Sequence, residues 1–164
     1  MSEFSSADTQ AMQLALQLAQ IAWQHGEVPV GAVLLDAQGH LLGQGYNQVI
    51  TRSDPTQHAE IVALRQATAT AANYRLPGSQ LFVTLEPCLM CFGALLHARV
   101  ERVVYAAPDP KTGACGSVVC LHEHPTLNHQ TQVQAGLLQD QASQLLRDFF
   151  KERRLLAKQN RTFS

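Results

Sequence analysis

The sequence predicts an α/β fold layered around one mixed sheet. Three observations lead there. Segments with apolar residues at helical spacing alternate along the chain with short strand-like apolar runs. The apolar residues, 46% of the total, are spread over the whole length rather than massed. No internal repeat, low-complexity tract or interdomain linker divides the 164 residues, which suit one domain over 1–164 with a core that needs no disulfide staples.

The first expected element is an amphipathic helix over 9–25, with Leu14, Leu18, Ile21 and Ala22 at helical spacing and Gly26 as its stop. A buried strand over 28–36 and a second arm over 41–46 read as a hairpin around Ala37-Gln38-Gly39-His40. A loop over 47–55 leads into a helix over 56–72, and Asp54-Pro55-Thr56 supplies capping residues near its start. After the turn Leu76-Pro77-Gly78-Ser79 come a strand over 80–85, a helix over 88–97 and a strand over 102–107. Residues 108–129 form a long irregular stretch rich in Gly, His and Pro, and loops of that length inside compact domains are often functional. A short strand over 130–134 and a helix over 140–158 close the order.

Composition removes several function classes. No run approaches the roughly 18–20 apolar residues that cross a bilayer, so no membrane role is expected. Residues 1–8 are polar and acidic and do not read as a secretory signal, which predicts a cytoplasmic protein with reduced thiols. The four cysteines are then metal ligands or core fillers rather than disulfides. A net charge of −1 argues against a chain coated in basic charge, yet six of the twelve Lys and Arg lie in 147–164. These are Arg147, Lys151, Arg153, Arg154, Lys158 and Arg161. A solvated helix face and a phosphate-contacting surface both fit such a segment.

The chemistry lies in two short motifs. His58-Ala59-Glu60 stands at the start of one expected helix, and Glu86-Pro87-Cys88-Leu89-Met90-Cys91 stands between a strand and a helix. One imidazole and two thiolates supply three ligands to zinc and leave a fourth tetrahedral position for water. Cys88 and Cys91 are three apart, so on a first helical turn both sulfurs point the same way. Pro87 suits the first position of that helix, and a helix N-terminus favours the thiolate that a metal requires. His58 and Glu60, two apart, do not share a helix face, but a metal off the end of the axis is within reach of both. Two thiolates cancel the charge of Zn²⁺ and acidify bound water less than three imidazoles do, so a nearby base gains importance, and Glu60 fits that role. Alone, C-x-x-C also suits a structural half-site or buried cysteine, and H-x-E occurs by chance. Together and in this order they match the signature of the zinc-dependent nucleobase deaminases.

With these motifs, Val28-Pro29-Val30-Gly31-Ala32, Asp109-Pro110-Lys111-Thr112-Gly113-Ala114-Cys115-Gly116-Ser117 and Asp148-Phe149-Phe150 make the chain resemble the bacterial tRNA adenosine branch of the cytidine deaminase superfamily over residues 11–154. The zinc motifs are common to the superfamily, whereas the 109–117 segment is specific to that branch. The resemblance implies a three-layer α/β/α sandwich with a central mixed five-stranded sheet, a homodimer, and a hydrolase that converts the wobble adenosine of a tRNA anticodon to inosine. It makes His58, Cys88 and Cys91 the ligands of one zinc per chain and Glu60 the proton shuttle between the attacking water and the leaving ammonia. It also places Asn47 on the flipped base, Val28, Pro29 and Leu85 along the pocket, and Asp109, Lys111, Phe149, Arg153 and Arg154 on the anticodon stem-loop. From the residues alone Asn47 is equally a turn residue after a strand, and one of Phe149 and Phe150 is expected to anchor the last helix.

One departure stands out. Cys115, Cys120, His122, His124 and His129 crowd the long loop, with a spacing that matches none of the usual zinc frameworks. They are expected to be unliganded cysteines and solvated or RNA-facing histidines, with Cys115 standing where a small residue is expected. Two rival functions share parts of the pattern. A sister deaminase of free cytosine, guanine or a nucleoside needs neither the basic terminal helix nor the 109–117 segment. A noncatalytic zinc-stabilised binding module has no use for Glu60.

Overall fold

The computed structural model describes residues 3–163; Met1, Ser2 and Ser164, the ends of the expected 1–164 domain, lie outside the described residues. The first helix, α1 (Ser6–Gln24), starts three residues before its apolar period. A reciprocal capping box sets that start: the Ser5 hydroxyl accepts the Asp8 N–H and the Asp8 carboxylate accepts the Ser5 N–H. Strand β1 (Gly31–Leu35) begins later than its apolar run. Pro29 has no N–H for a ladder, and the Val30 N–H bonds back to the Val28 carbonyl, so the chain turns before pairing begins. The hairpin partner β2 (Leu41–Tyr46) stands as expected.

The stretch over 47–55 contains a single helical turn, α2 (Val49–Arg52), ended by Ser53 in the left-handed region. The remaining elements are α3 (Ala59–Ala71), β3 (Gln80–Leu85), α4 (Leu89–His97), β4 (Arg102–Ala107), β5 (Gln132–Ala135) and α5 (Gln139–Thr162). Helix α3 starts after His58 rather than at Thr56, and α4 starts after Cys88, so Pro87 stands just outside that helix instead of at its first position. Helix α5 is longer than its apolar pattern, extending through the basic segment.

The strands form one sheet in the order β2-β1-β3-β4-β5. Strand β1 pairs antiparallel with β2 and β3, while β3–β4 and β4–β5 are parallel, so the sheet is mixed. Alternation along the strands feeds two cores. Leu34, Leu81, Val83 and Val103 meet Ala63 and Ala67 of α3 and Phe92 and Leu95 of α4 on one face. Val33, Phe82 and Val104 meet Met12 and Leu16 of α1 and Ala142 of α5 on the other. This is the three-layer α/β/α arrangement. Helix α3 sits so close to β2 that a Cβ on Gly43 would lie 2.2 Å from the Ala63 carbonyl oxygen. That contact seats the body of α3 directly on β2.

Candidate metal centre

The site forms where the N-termini of α3 and α4 meet at one end of the parallel strands. Its approach loop is stiffened by Asp54, whose carboxylate accepts the Thr56 N–H and hydroxyl and the Gln57 amide. Those three donors hold the Asp54 carboxyl down at about 2. Asp54 therefore closes the turn before the helix and does not cap it.

His58 occupies the N-cap position of α3 with extended backbone (φ −73°, ψ 153°) and makes no capping bond with its side chain. The cap is supplied from afar: the Asn47 Oδ1 accepts the Ala59 N–H at 2.9 Å. The His58 ring is left free to face α4. Because His58 precedes the first helical turn, it is not bound by the face geometry that separates residues two apart within a helix.

Cys88 holds the equivalent N-cap position of α4 (φ −79°, ψ 175°), and Cys91 lies buried in the first turn. Both sulfurs converge on one nitrogen, with Cys91 Sγ 3.5 Å and Cys88 Sγ 3.6 Å from His58 Nδ1. Ligand bonds of ~2.3 Å to sulfur and ~2.1 Å to nitrogen, set at tetrahedral angles, put such atoms ~3.5 Å apart. The donor set thus fits zinc in both chemistry and spacing, and one zinc is the cofactor of this domain. A hydrogen bond from Cys91, with a further one from His58, holds the Cys88 thiol down at about 4, against the opposing effect of burial. The same thiol pair pushes Cys91 up, because Cys91 is the donor. His58 is raised, chiefly by its bond to Cys88.

Glu60, in the first turn of α3, is 4% exposed, and burial pushes its carboxyl up to about 7. It lines a cavity of about 330 Å³ together with His58 and Cys88. Asn47, Val28 and Leu85 line this cavity as expected, and Asp109 does too. Pro29 does not; it is buried behind the wall, and its neighbours Val28 and Val30 face the space.

Val49 and Ile50 of α2 complete the apolar side, a contribution that sequence reading assigned to plain loop. Buried Glu27 fixes that turn by accepting the Ile50 N–H at 3.0 Å and the Thr51 N–H at 2.7 Å. No periodicity marks Glu27 for this task. Its partners lie more than twenty residues away.

The expected RNA-facing residues divide. The Asp109 carboxylate accepts the Lys111 and Thr112 N–H groups and the Thr112 hydroxyl, so its oxygens close its own loop. Lys111 is exposed and lines a neighbouring groove of about 500 Å³ with Pro110, Arg147 and Phe150. Phe149 is buried at 3% exposure, edge-on to Trp23, and is the anchor of α5; Phe150 is the ring presented at the groove. Arg153 lies over the Phe149 ring and donates to the Gly26 carbonyl, which ties α5 to the end of α1. Arg154 is exposed and lies on the helix at spacings of seven from Arg147, three from Lys151 and four from Lys158, one face of charge.

Among the described residues a second group, Cys120, His122 and Glu123, also draws its donor atoms together. Its geometry differs from that of the first. Cys120 Sγ lies 3.6 and 3.9 Å from the two nitrogens of His122, which sets it over the ring rather than on one lone pair. The ring packs edge-on to Phe92, and Cys120 pairs with Cys115 across an isolated bridge. His122 is thus half-buried against Phe92 rather than solvated or RNA-facing.

Comparison with known proteins agrees with this geometry. Residues 5–107 match the family model of the cytidine and deoxycytidylate deaminase zinc-binding region. The chain is 49% identical over 150 residues to the tRNA-specific adenosine deaminase of Haemophilus influenzae, covering 92% of this chain and 87% of that one. It is 39% identical to the enzyme of the same name from Bacillus subtilis, covering 87% and 88%. A structure solved in a study of A-to-I editing by tRNA:A34 deaminases at the wobble position superposes with a TM-score of 0.81 at 41% identity, over 84% of this chain and 99% of that one. A guanine deaminase from Nitrosomonas europaea superposes less well, with a TM-score of 0.72 at 28% identity over 86% and 83%.

Proposed function

The chain belongs to the cytidine and deoxycytidylate deaminase zinc-binding family, among its tRNA-specific adenosine deaminases, and on that premise we propose that it hydrolyses the wobble adenosine of a tRNA anticodon to inosine and ammonia. The observation that carries the reading is buried Glu60 at the wall of one cavity with His58 and Cys88, whose donor atoms gather with that of buried Cys91 just behind them. A structural zinc site is closed by its ligands and needs no such acid.

His58, Cys88 and Cys91 hold the zinc, which when bound supplies a nucleophile at neutral pH by lowering the pKa of water. Glu60 takes the proton that the attacking water gives up and returns it to the exocyclic nitrogen, so that adenosine and water become inosine and ammonia. Asn47 spends its carbonyl oxygen on Ala59, so its NH₂ is the end that donates to an acceptor on the purine. Val28, Val30, Ile50 and Leu85 supply apolar walls for a flat base.

An adenine stacked in a duplex does not reach a recessed metal, whereas an anticodon loop presents an unpaired base at small unstacking cost. Arg147, Lys151, Arg154 and Lys158, with Lys111 and Phe150 at the groove, form the surface that holds the loop. Exposed Leu89, Met90, Val118 and Val119 cluster beside the cysteine helix, and a second copy of the chain covers them in a homodimer. Among the described residues no helix is long and apolar enough to cross a membrane, and a tRNA substrate supports a cytoplasmic location. Turnover of an anticodon stem-loop, measured against free adenosine, cytosine and guanine, tests the reading. A free base that outruns the stem-loop overturns the tRNA assignment.

A further inference from the structure

Glu86 stands two residues before the first cysteine ligand and is 2% exposed. Its carboxylate meets four hydrogen-bond donors, all from one loop. Oε2 accepts the Asp109 N–H at 2.9 Å and the Ser117 hydroxyl. Oε1 accepts the Cys115 N–H at 2.9 Å and the Ser117 N–H at 3.1 Å. The loop wraps this side chain as a nest of backbone amides wraps an anion. Gly113 makes the wrapping possible, since a Cβ there would lie 2.4 Å from the Glu86 carboxyl carbon. Two backbone contacts run alongside: the Ala114 N–H bonds to the Pro87 carbonyl at 2.8 Å, and Gly113 pairs with Cys88 across a bridge.

The wrapped loop carries Asp109 and Thr112, which line the cavity together with Asn47 and Ile50. One buried carboxylate therefore ties a wall of the pocket to the segment that carries the metal ligands. We propose that Glu86 is a positioning residue for the deamination: by accepting from Asp109, Cys115 and Ser117 it holds the 109–117 loop in register with Cys88 and Cys91, and so sets the width of the base pocket. This rests on the function proposed above for the same site.

All four contacts require an acceptor, so Glu86→Gln is not a conservative change. The amide keeps one oxygen and sets an NH₂ group against at least one backbone N–H, which has no lone pair to offer; of the four partners only the Ser117 hydroxyl can turn to accept from it. The test uses the zinc-loaded full chain. In Glu86→Gln, hydrogen exchange at the Asp109, Cys115 and Ser117 amides quickens by about tenfold or more, KM for an anticodon stem-loop rises on the order of tenfold, and zinc stays at one per chain. Ser117→Ala, which removes only the hydroxyl, gives a smaller rise in KM of roughly threefold with the same pattern of exchange.

Unchanged exchange at the three amides, or unchanged KM with a quickened loop, overturns the proposal. Loss of zinc from Glu86→Gln without faster exchange overturns it as well, because the carboxylate would then serve the metal segment and not the loop. If Glu86→Gln does not fold, Ser117→Ala decides by the same two readouts. Should the unaltered enzyme fail to deaminate the stem-loop, the proposed substrate falls while exchange and zinc content still report on Glu86.

Discussion

The side-chain oxygen of Asn47 accepts the backbone N–H of Ala59 at 2.9 Å, so a residue that lines the cavity and is proposed to hold the base also caps the helix behind the metal ligand His58. The two duties use opposite ends of one amide. Asn47→Asp keeps the acceptor and loses the NH₂ donor. It is expected to retain zinc and thermal stability while kcat/KM on a stem-loop falls by about tenfold to a hundredfold. Asn47→Ala loses the cap as well and should cost a further ~1 kcal/mol in a denaturant titration. Equal stability losses in both variants would show that the cap is not made through the oxygen.

Glu60→Gln keeps the shape of the side chain but does not carry a proton. Zinc content and stem-loop binding should stay at the parent level while turnover falls by ~10³ or more. Elemental analysis should give about one zinc per chain for both proteins. Loss of zinc from the variant would make Glu60 a ligand. His58→Ala and Cys88→Ser should lose the metal, and Cys120→Ser should not, since Cys120 lies over the His122 ring and not on a nitrogen lone pair.

The basic segment divides by what each side chain touches. Replacing Arg147, Lys151 and Arg154 by alanine should weaken stem-loop binding and flatten its dependence on salt, because fewer phosphate contacts release counterions. Arg153→Ala should act mainly on stability, by ~1 kcal/mol, because its guanidinium covers the buried Phe149 ring and bonds to Gly26. Salt titrations of fluorescence anisotropy together with melting curves separate the two effects. A flattened salt slope in Arg153→Ala alone would reverse the assignment.

A charge placed in the apolar patch beside the cysteine helix tests the assembly. Val118→Lys should convert a dimer into a monomer in sedimentation velocity while leaving zinc content unchanged, because Val118 is 54% exposed in the single chain. A parent protein that sediments as a monomer at every concentration would remove the homodimer.

Stability toward acid should depend on the ion pair that joins α1 to β4. Arg102 bonds both oxygens of Asp8, at 2.9 and 3.0 Å, and holds its carboxyl below the ordinary 3.8. A carboxyl lowered in the folded state contributes its full stability above about pH 4 and loses it as pH falls through the lowered value. Asp8→Asn should cost ~2 kcal/mol near neutrality and show a shallower loss below pH 4. Parallel curves for the two proteins would show that the pair does not govern acid unfolding.

Much of the protein was legible in the sequence because its cues are local. The layered fold followed from alternating periodicities that each strand and helix carries on its own face. The metal ligands and Glu60 followed from H-x-E and C-x-x-C, since ligands fixed to helix starts keep a short, recognisable spacing. Tertiary structure alone decided the rest, because it turns on partners distant in the chain. Glu27 meets Ile50 and Thr51, Asn47 meets Ala59, and Glu86 gathers Asp109, Cys115 and Ser117, pairings over 12 to 31 positions that no periodicity encodes. The same reason put Phe149 in the fold and set exposed Arg153 across its ring. On a helix of mixed charge and ring, only the neighbour against which each side chain packs determines whether it faces a ligand or the protein's own interior.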